Sequence, residues 1–142
     1  MTSTDATVRL YDTTAWEVVR TYAWQVGKLR CVAFSPDGML AAVGSDSGQI
    51  VVWDVAAGVR LGQVVPPGRA QFNDVAVHPS GRSFATVAND GRVRTWDIDT
   101  LTETAATSLG VGKLHAVAFH PKGGTGAVGA DGGKVVLWDA DD

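Results

Sequence analysis

Fifteen acids, three histidines and a single cysteine are the groups in this 142-residue chain to weigh first for acid–base, covalent or metal chemistry. The acids invite a paired-carboxylate reading, since two well-placed carboxylates suffice for general acid–base catalysis. Asp54, Asp97 and Asp139 each follow an aromatic at the end of an aliphatic run, and Asp46, Asp90 and Asp131 sit in Asp/Asn-Gly-type stretches. Both settings are ones in which a short carboxylate bonds nearby backbone amides in a turn, so a structural duty comes first. Cys31 lies inside an aliphatic run two residues after Leu29, and reads as a small buried hydrophobe rather than a nucleophile. His78 and His120 precede Pro79 and Pro121, 42 residues apart, not at the i, i+4 spacing of a helical zinc pair. Gly27-Lys28 and Gly112-Lys113 lack the Ser/Thr and the following helix of a phosphate loop; Leu29 and Leu114 come next. Arg92 and Arg94, flanking Val93, read as a solvated strand face. No catalytic, cofactor-binding or metal-binding residue is assigned, and the chain is not expected to be an enzyme.

Composition narrows the remaining classes. Twelve Lys and Arg against fifteen Asp and Glu give a formal charge of −3, without the basic excess of a duplex-binding module, so no nucleic-acid partner is expected. One cysteine allows no internal disulfide and no cysteine-rich zinc site. The first residues, Met1 to Asp5, are polar, and no apolar stretch approaches the ~20 residues a membrane helix needs. A cytoplasmic protein without membrane association is expected. Thirteen of the fifteen acids are Asp, and 21 Val and 13 Thr accompany them. Asp favours turns and β-branched residues favour pleated strands, so the elements that hold these groups are strands.

Those strands repeat. Tyr11-Asp12, Trp53-Asp54, Trp96-Asp97 and Trp138-Asp139 recur at intervals of 42, 43 and 42 residues, each closing an aliphatic run. A second element is in phase with the first: Val32 to Gly38, Val75 to Gly81 and Val117 to Gly123 all carry Pro two residues before the closing Gly. Each unit reads as a strand, a Pro-Xaa-Gly turn, a strand, a tight turn, a strand ending in Trp-Asp, and a more polar fourth strand suited to an outer edge.

In these residues the chain resembles the WD40 repeats of β-propellers over residues 8 to 139. The resemblance implies an all-β fold of four-stranded blades around a central channel, serving as a rigid platform for protein partners. It divides one unit, 1–142, into a leading half-blade at 8–23, full blades at 28–65 and 71–107, and a blade lacking its outer strand at 113–139. The family's Gly-His pair is missing, its histidine positions being Gln25, Gly68 and Gly110. Of the polar set that accompanies that histidine, only a partial Thr86–Asp90–Trp96 group is present; Ser47 and Gly132 replace the Asp in the other blades.

Thirteen strands make little more than three blades, whereas propellers close with about 4–8. A partial ring leaves apolar faces bare, so completion is expected from a missing segment or from further copies, with the strand over Ala15–Tyr22 of one chain beside Lys134–Trp138 of the next. The platform's contact surface is expected where the first strand of each blade begins: Lys28 and Arg30, Gln71 and Asn73, Lys113 and His115, each pair flanking an apolar anchor. Four of the six are basic or can become so, which favours an acidic or carboxylate-bearing protein. Trp16 and Trp24 lack counterparts in later repeats and suit a seam between chains or a cap on the first outer strand. The alternative is a propeller enzyme or small-ligand binder that uses channel-facing carboxylates.

Overall fold

A computed structural model describes residues 7–12, 14–15, 17–23, 28–64 and 71–139. They form thirteen antiparallel strands in four sheets. The leading sheet pairs β1 (Thr7–Asp12) with β2 (Glu17–Ala23). The first full blade is β3 (Leu29–Phe34), β4 (Leu40–Ser45), β5 (Ile50–Asp54) and β6 (Val59–Val64), hydrogen-bonded in chain order. The second is β7 (Phe72–Val77), β8 (Ser83–Ala88), β9 (Arg92–Asp97) and β10 (Glu103–Ser108). The last sheet has three strands, β11 (Leu114–Phe119), β12 (Thr125–Ala130) and β13 (Lys134–Asp139), with a short 3-10 turn at Asp131–Gly133 before β13.

The turns follow from the repeated residues. In Ser35–Gly38, His78–Gly81 and His120–Gly123 the closing glycine N–H donates to the first residue's carbonyl at 2.9, 2.8 and 2.8 Å. Proline occupies the second position, where its fixed φ suits the turn and no N–H is needed. Asp54 accepts the Ala57 N–H at 2.8 Å, and Asp97 accepts those of Asp99 and Thr100, each at 2.9 Å. These two bonds hold Asp97 below the usual carboxylate range. The glycine at Gly91 is needed for two reasons: its φ is +78°, and a Cβ there would stand 2.8 Å from the Gly112 carbonyl oxygen.

The sheets stack face to face. Cys31, Ala42, Ile50 and Val52 of the first full blade pack against Phe72, Val75, Phe84, Ala88 and Trp96 of the second. Ala85, Val87 and Val93, on the opposite face of the second, pack against Leu114, Val117, Val128 and Ala130 of the last. Each fully buried large side chain contributes roughly 1.5–3 kcal/mol. Phe84 stacks on Trp96 with ring centroids 6.1 Å apart. The first strands β3, β7 and β11 lie against one another in order, while the fourth strands are peripheral and β10 is exposed along its length. This all-β arrangement of partial-propeller blades is the one the repeats imply.

Arg94 departs from the sequence reading. It is not on a solvated face but 5% exposed. Its guanidinium donates to both carboxylate oxygens of Asp90, at 3.3 and 2.5 Å, which explains how a cation is accommodated there. Burial pushes the Asp90 carboxyl up, but the hydrogen bond and charge of Arg94 outweigh it and hold the group below its ordinary range. The Trp96 indole N–H donates to Thr86 Oγ1 at 3.0 Å inside the same blade. Thr86 and Trp96 are therefore joined directly, whereas Asp90 accepts instead from the Arg94 guanidinium and from the Arg92 N–H at 3.1 Å.

Candidate interaction surface

The first strand of each blade starts with the same construction. Leu29, Phe72 and Leu114 are buried anchors at 5%, 0% and 0% exposure. One residue later the pairing register slips, between Leu29 and Cys31, Phe72 and Asp74, and Leu114 and Ala116. The residue skipped is Arg30, Asn73 or His115. A bulge removes a residue from the ladder and re-aims its side chain, so all three leave the alternation of the strand at one place in the fold. Arg30 and His115 are exposed and Asn73 half-buried.

Immediately before each anchor, a reciprocal clip closes the blade. The Lys28 N–H donates to Asp46 Oδ1 at 3.0 Å while the Asp46 N–H donates to the Lys28 carbonyl at 2.9 Å. Gln71 and Asn89 repeat this at 3.2 and 3.1 Å, and Lys113 and Asp131 at 3.1 and 3.0 Å. Asp46, Asn89 and Asp131 thus hold one structural position, which is why the acids of the outer two repeats fall one residue before Asp90. The clip leaves the side chains of Lys28 and Lys113 exposed.

The six residues singled out in the sequence do not share one role. Lys28, Arg30 and Lys113 are exposed cations, and only the backbone N–H groups of Lys28 and Lys113 engage the clip acids Asp46 and Asp131. His115 Nε2 lies 2.5 Å from Asp131 Oδ1. That bond, followed by the Lys113 N–H, holds the Asp131 carboxyl below its ordinary range. Gln71 Nε2 reaches Asn73 Oδ1 at 3.4 Å, and Asn73 Nδ2 donates across the blade boundary to the Leu114 carbonyl at 2.7 Å. Asn73 therefore stitches two blades together.

Asp74 is a second stitch that the repeats did not single out. Its Oδ1 accepts the Val75 N–H at 2.9 Å, and its Oδ2 accepts the Val117 N–H of the next blade at 3.0 Å. The available signal was an acid in mid-strand, where Asp is depleted, at the position held by Cys31 and Ala116 in the neighbouring repeats. Cys31 itself is buried, with its thiol 3.9 Å from the Gly44 carbonyl, and burial pushes its pKa up to about 12. His78 is buried, its Nδ1 2.8 Å from Ser80 Oγ and its ring edge-on to Phe119 at 5.0 Å. Trp16 and Trp24 lie outside the described residues, as do the side chains of Tyr11 and Asp12.

A cleft of about 510 Å³ opens between the outer strands of the second blade and the free edge of β13. Thr95, Thr104 and Trp138 line it, with Arg82, Asp97 and Asp139 among its polar groups. Among the described residues no three His, Cys, Asp or Glu side chains come close enough to hold a metal ion. No helix among them is long and apolar enough to cross a membrane.

This repeated blade construction defines the class: the chain belongs to the WD40 family. The family described as "WD domain, G-beta repeat" matches residues 16–54 and 65–97. Among curated proteins, the fission yeast target of rapamycin complex subunit wat1 is 31% identical over 93 residues, 64% of this chain and 29% of that protein. The transcription initiation factor TFIID subunit 5 of Caenorhabditis elegans is 28% identical over 96 residues, 68% of this chain and 15% of its own length. The human serine-threonine kinase receptor-associated protein is 38% identical over 52 residues, 37% of this chain and 15% of its own. The chain thus spans less than a third of each of these relatives.

Proposed function

We propose that the chain is a non-catalytic WD40 scaffold, one unit over residues 1–142, that binds a protein partner through the bulged starts of its first strands. The observation carrying this reading is the repetition of the bulge at Arg30, Asn73 and His115, each behind a buried anchor and a closed clip. A rigid frame that presents re-aimed side chains at regular intervals provides pre-organised recognition, which lowers the entropy cost of binding. Lys28, Arg30 and Lys113 favour a partner bearing an acidic segment. Two relatives are by name subunits of complexes, which supports a role in assembly. In this reading the scaffold works in the cytoplasm, and its ring is completed by further copies or by the remainder of a larger propeller.

The test uses a fluorescent poly-glutamate peptide as the probe. Fluorescence anisotropy should show salt-sensitive binding that is lost when Lys28, Arg30 and Lys113 are all changed to Glu, with the unfolding midpoint preserved. Equal binding by the triple variant, or none by the parent protein, would overturn the reading. The alternative small-ligand reading is served by the cleft at Asp97 and Asp139. There, however, Asp97 is already engaged by two backbone amides, which favours the scaffold.

A further inference from the structure

The three bulged strand starts occupy one position in the fold but differ in the charge they carry. Arg30 in the first full blade is always a cation and Asn73 in the second never is. His115 in the last is of the residue type that changes charge between about pH 5 and 8. It is also held by an acid. Its Nε2 lies 2.5 Å from Asp131 Oδ1, while Asp131 Oδ2 accepts the Lys113 N–H of the clip at 3.1 Å. The two side chains are 53% and 51% exposed, so the pair stands on the surface. In the second blade Asn89 makes the same clip to Gln71 with an amide oxygen, so the clip needs no charge at this position.

A carboxylate on the edge of His115 is what an acidic partner would itself supply there. With His115 neutral, Nε2 carries the proton that bonds Asp131, and the carboxylate keeps its negative charge. That charge offsets Lys113, so the last blade offers an acidic segment no net attraction. Protonation of His115 neutralises the pair and leaves Lys113 unopposed. The last blade then matches the first, where Lys28 and Arg30 outnumber Asp46. The Asp131 carboxyl, held below its ordinary range first by His115 and then by the Lys113 N–H, stays ionised throughout. Among the described residues, the other charged groups beside β11 at this end are Lys134 opening β13, Asp74 on β7, and Asp90, Arg92 and Arg94 around the second blade's tight turn. Asp74 is occupied by the Val75 and Val117 N–H groups and Asp90 by Arg94.

We infer that Asp131 is an autoinhibitory carboxylate of the interaction surface: it occupies His115 as an acidic partner would, and protonation of His115 brings the last blade into binding. This deepens the scaffold reading, on which it rests, by naming how that surface is regulated. A single exposed charge is worth little in water and is screened by salt, so the expected effect at low ionic strength is about two- to fivefold in Kd.

Anisotropy of the fluorescent poly-glutamate peptide at low salt, at about pH 7.5 and about pH 5.5, provides the test. The parent protein should bind about two- to fivefold more tightly at the lower pH. His115→Gln should lose that gain although His78 and His120 remain, and His115→Arg should bind at the higher pH as tightly as the parent does at the lower. Asp131→Asn keeps a clip of the kind Asn89 makes, and should tighten binding at the higher pH by a similar factor. Asp99→Asn, an exposed change at the opposite end of the strands, should leave it unchanged. If Asp131→Asn lowers the unfolding midpoint, the two His115 variants decide alone. An undiminished pH gain in His115→Gln, or no tightening in a stably folded Asp131→Asn, would overturn the inference. The scaffold reading would survive that result as long as the parent binds and the triple Lys28, Arg30 and Lys113 variant does not. No binding by the parent at either pH would overturn both.

Discussion

The bond across the second blade boundary supports a quantitative prediction. Asp74→Ala removes the acceptor of two backbone N–H groups, the local one of Val75 and the long-range one of Val117. Hydrogen bonds to a charged group contribute roughly 1.5–3 kcal/mol each, and a stranded buried donor costs about 1–3 kcal/mol. Asp74 is only half-buried, so water partly replaces the carboxylate and the lower half of that range applies. The expected loss is about 2 kcal/mol, or about 4–8 °C in unfolding midpoint for a chain of this size. Urea denaturation gives the global number. Hydrogen exchange gives the local one: the Val117 amide should exchange at least tenfold faster in the variant, because its protection depends on a bond between blades. Asp99→Ala, an exposed change, should move neither reading by more than about 0.5 kcal/mol. Unchanged Val117 protection in the Asp74 variant would refute the stitch, whatever the global stability did.

Three further outcomes follow from other contacts. Thr86→Val keeps the shape but leaves the buried Trp96 indole N–H without its acceptor, so urea unfolding should show a loss of about 1–3 kcal/mol. Gly91→Ala should cost more than about 1 kcal/mol in the same assay, since the +78° φ and the Gly112 carbonyl both oppose a Cβ. Burial raises the Cys31 pKa from 9.0 unfolded to about 12 folded. The unfolded chain therefore releases this proton first, so stability is intact below about pH 9 and falls as pH rises from there towards about 12. Native Cys31 should also resist iodoacetamide at pH 8 and react once the chain is unfolded in urea.

The sequence made the fold legible because two independent elements, the Pro-Xaa-Gly turn and the Trp-Asp strand end, recur in phase. Strand order follows from them once consecutive strands pair as hairpins. The apolar anchors Leu29, Phe72 and Leu114 could be read from their polar flanks, and all three are buried. The bulges were not legible: Arg30, Asn73 and His115 are chemically unlike, and a register slip depends on backbone pairing rather than side-chain type. Asp46 and Asp131 read as acids serving their own turns, because the clip is made to a residue 18 positions earlier, beyond any local pattern. Arg94 looked solvated because alternation with exposed Arg92 and proximity to a turn acid are both ordinary at a surface. Only tertiary packing buries its guanidinium, while the Asp90 carboxylate it pairs with stays 32% exposed.

Backbone hydrogen exchange of the parent protein with and without the poly-glutamate peptide tests the scaffold most directly. Protection gained at 28–30, 71–73 and 113–115 together, with β13 unaffected, is the result expected if the three bulged strand starts act as one surface. Protection confined to the cleft beside Trp138 and Asp139, with those three segments unchanged, would contradict it.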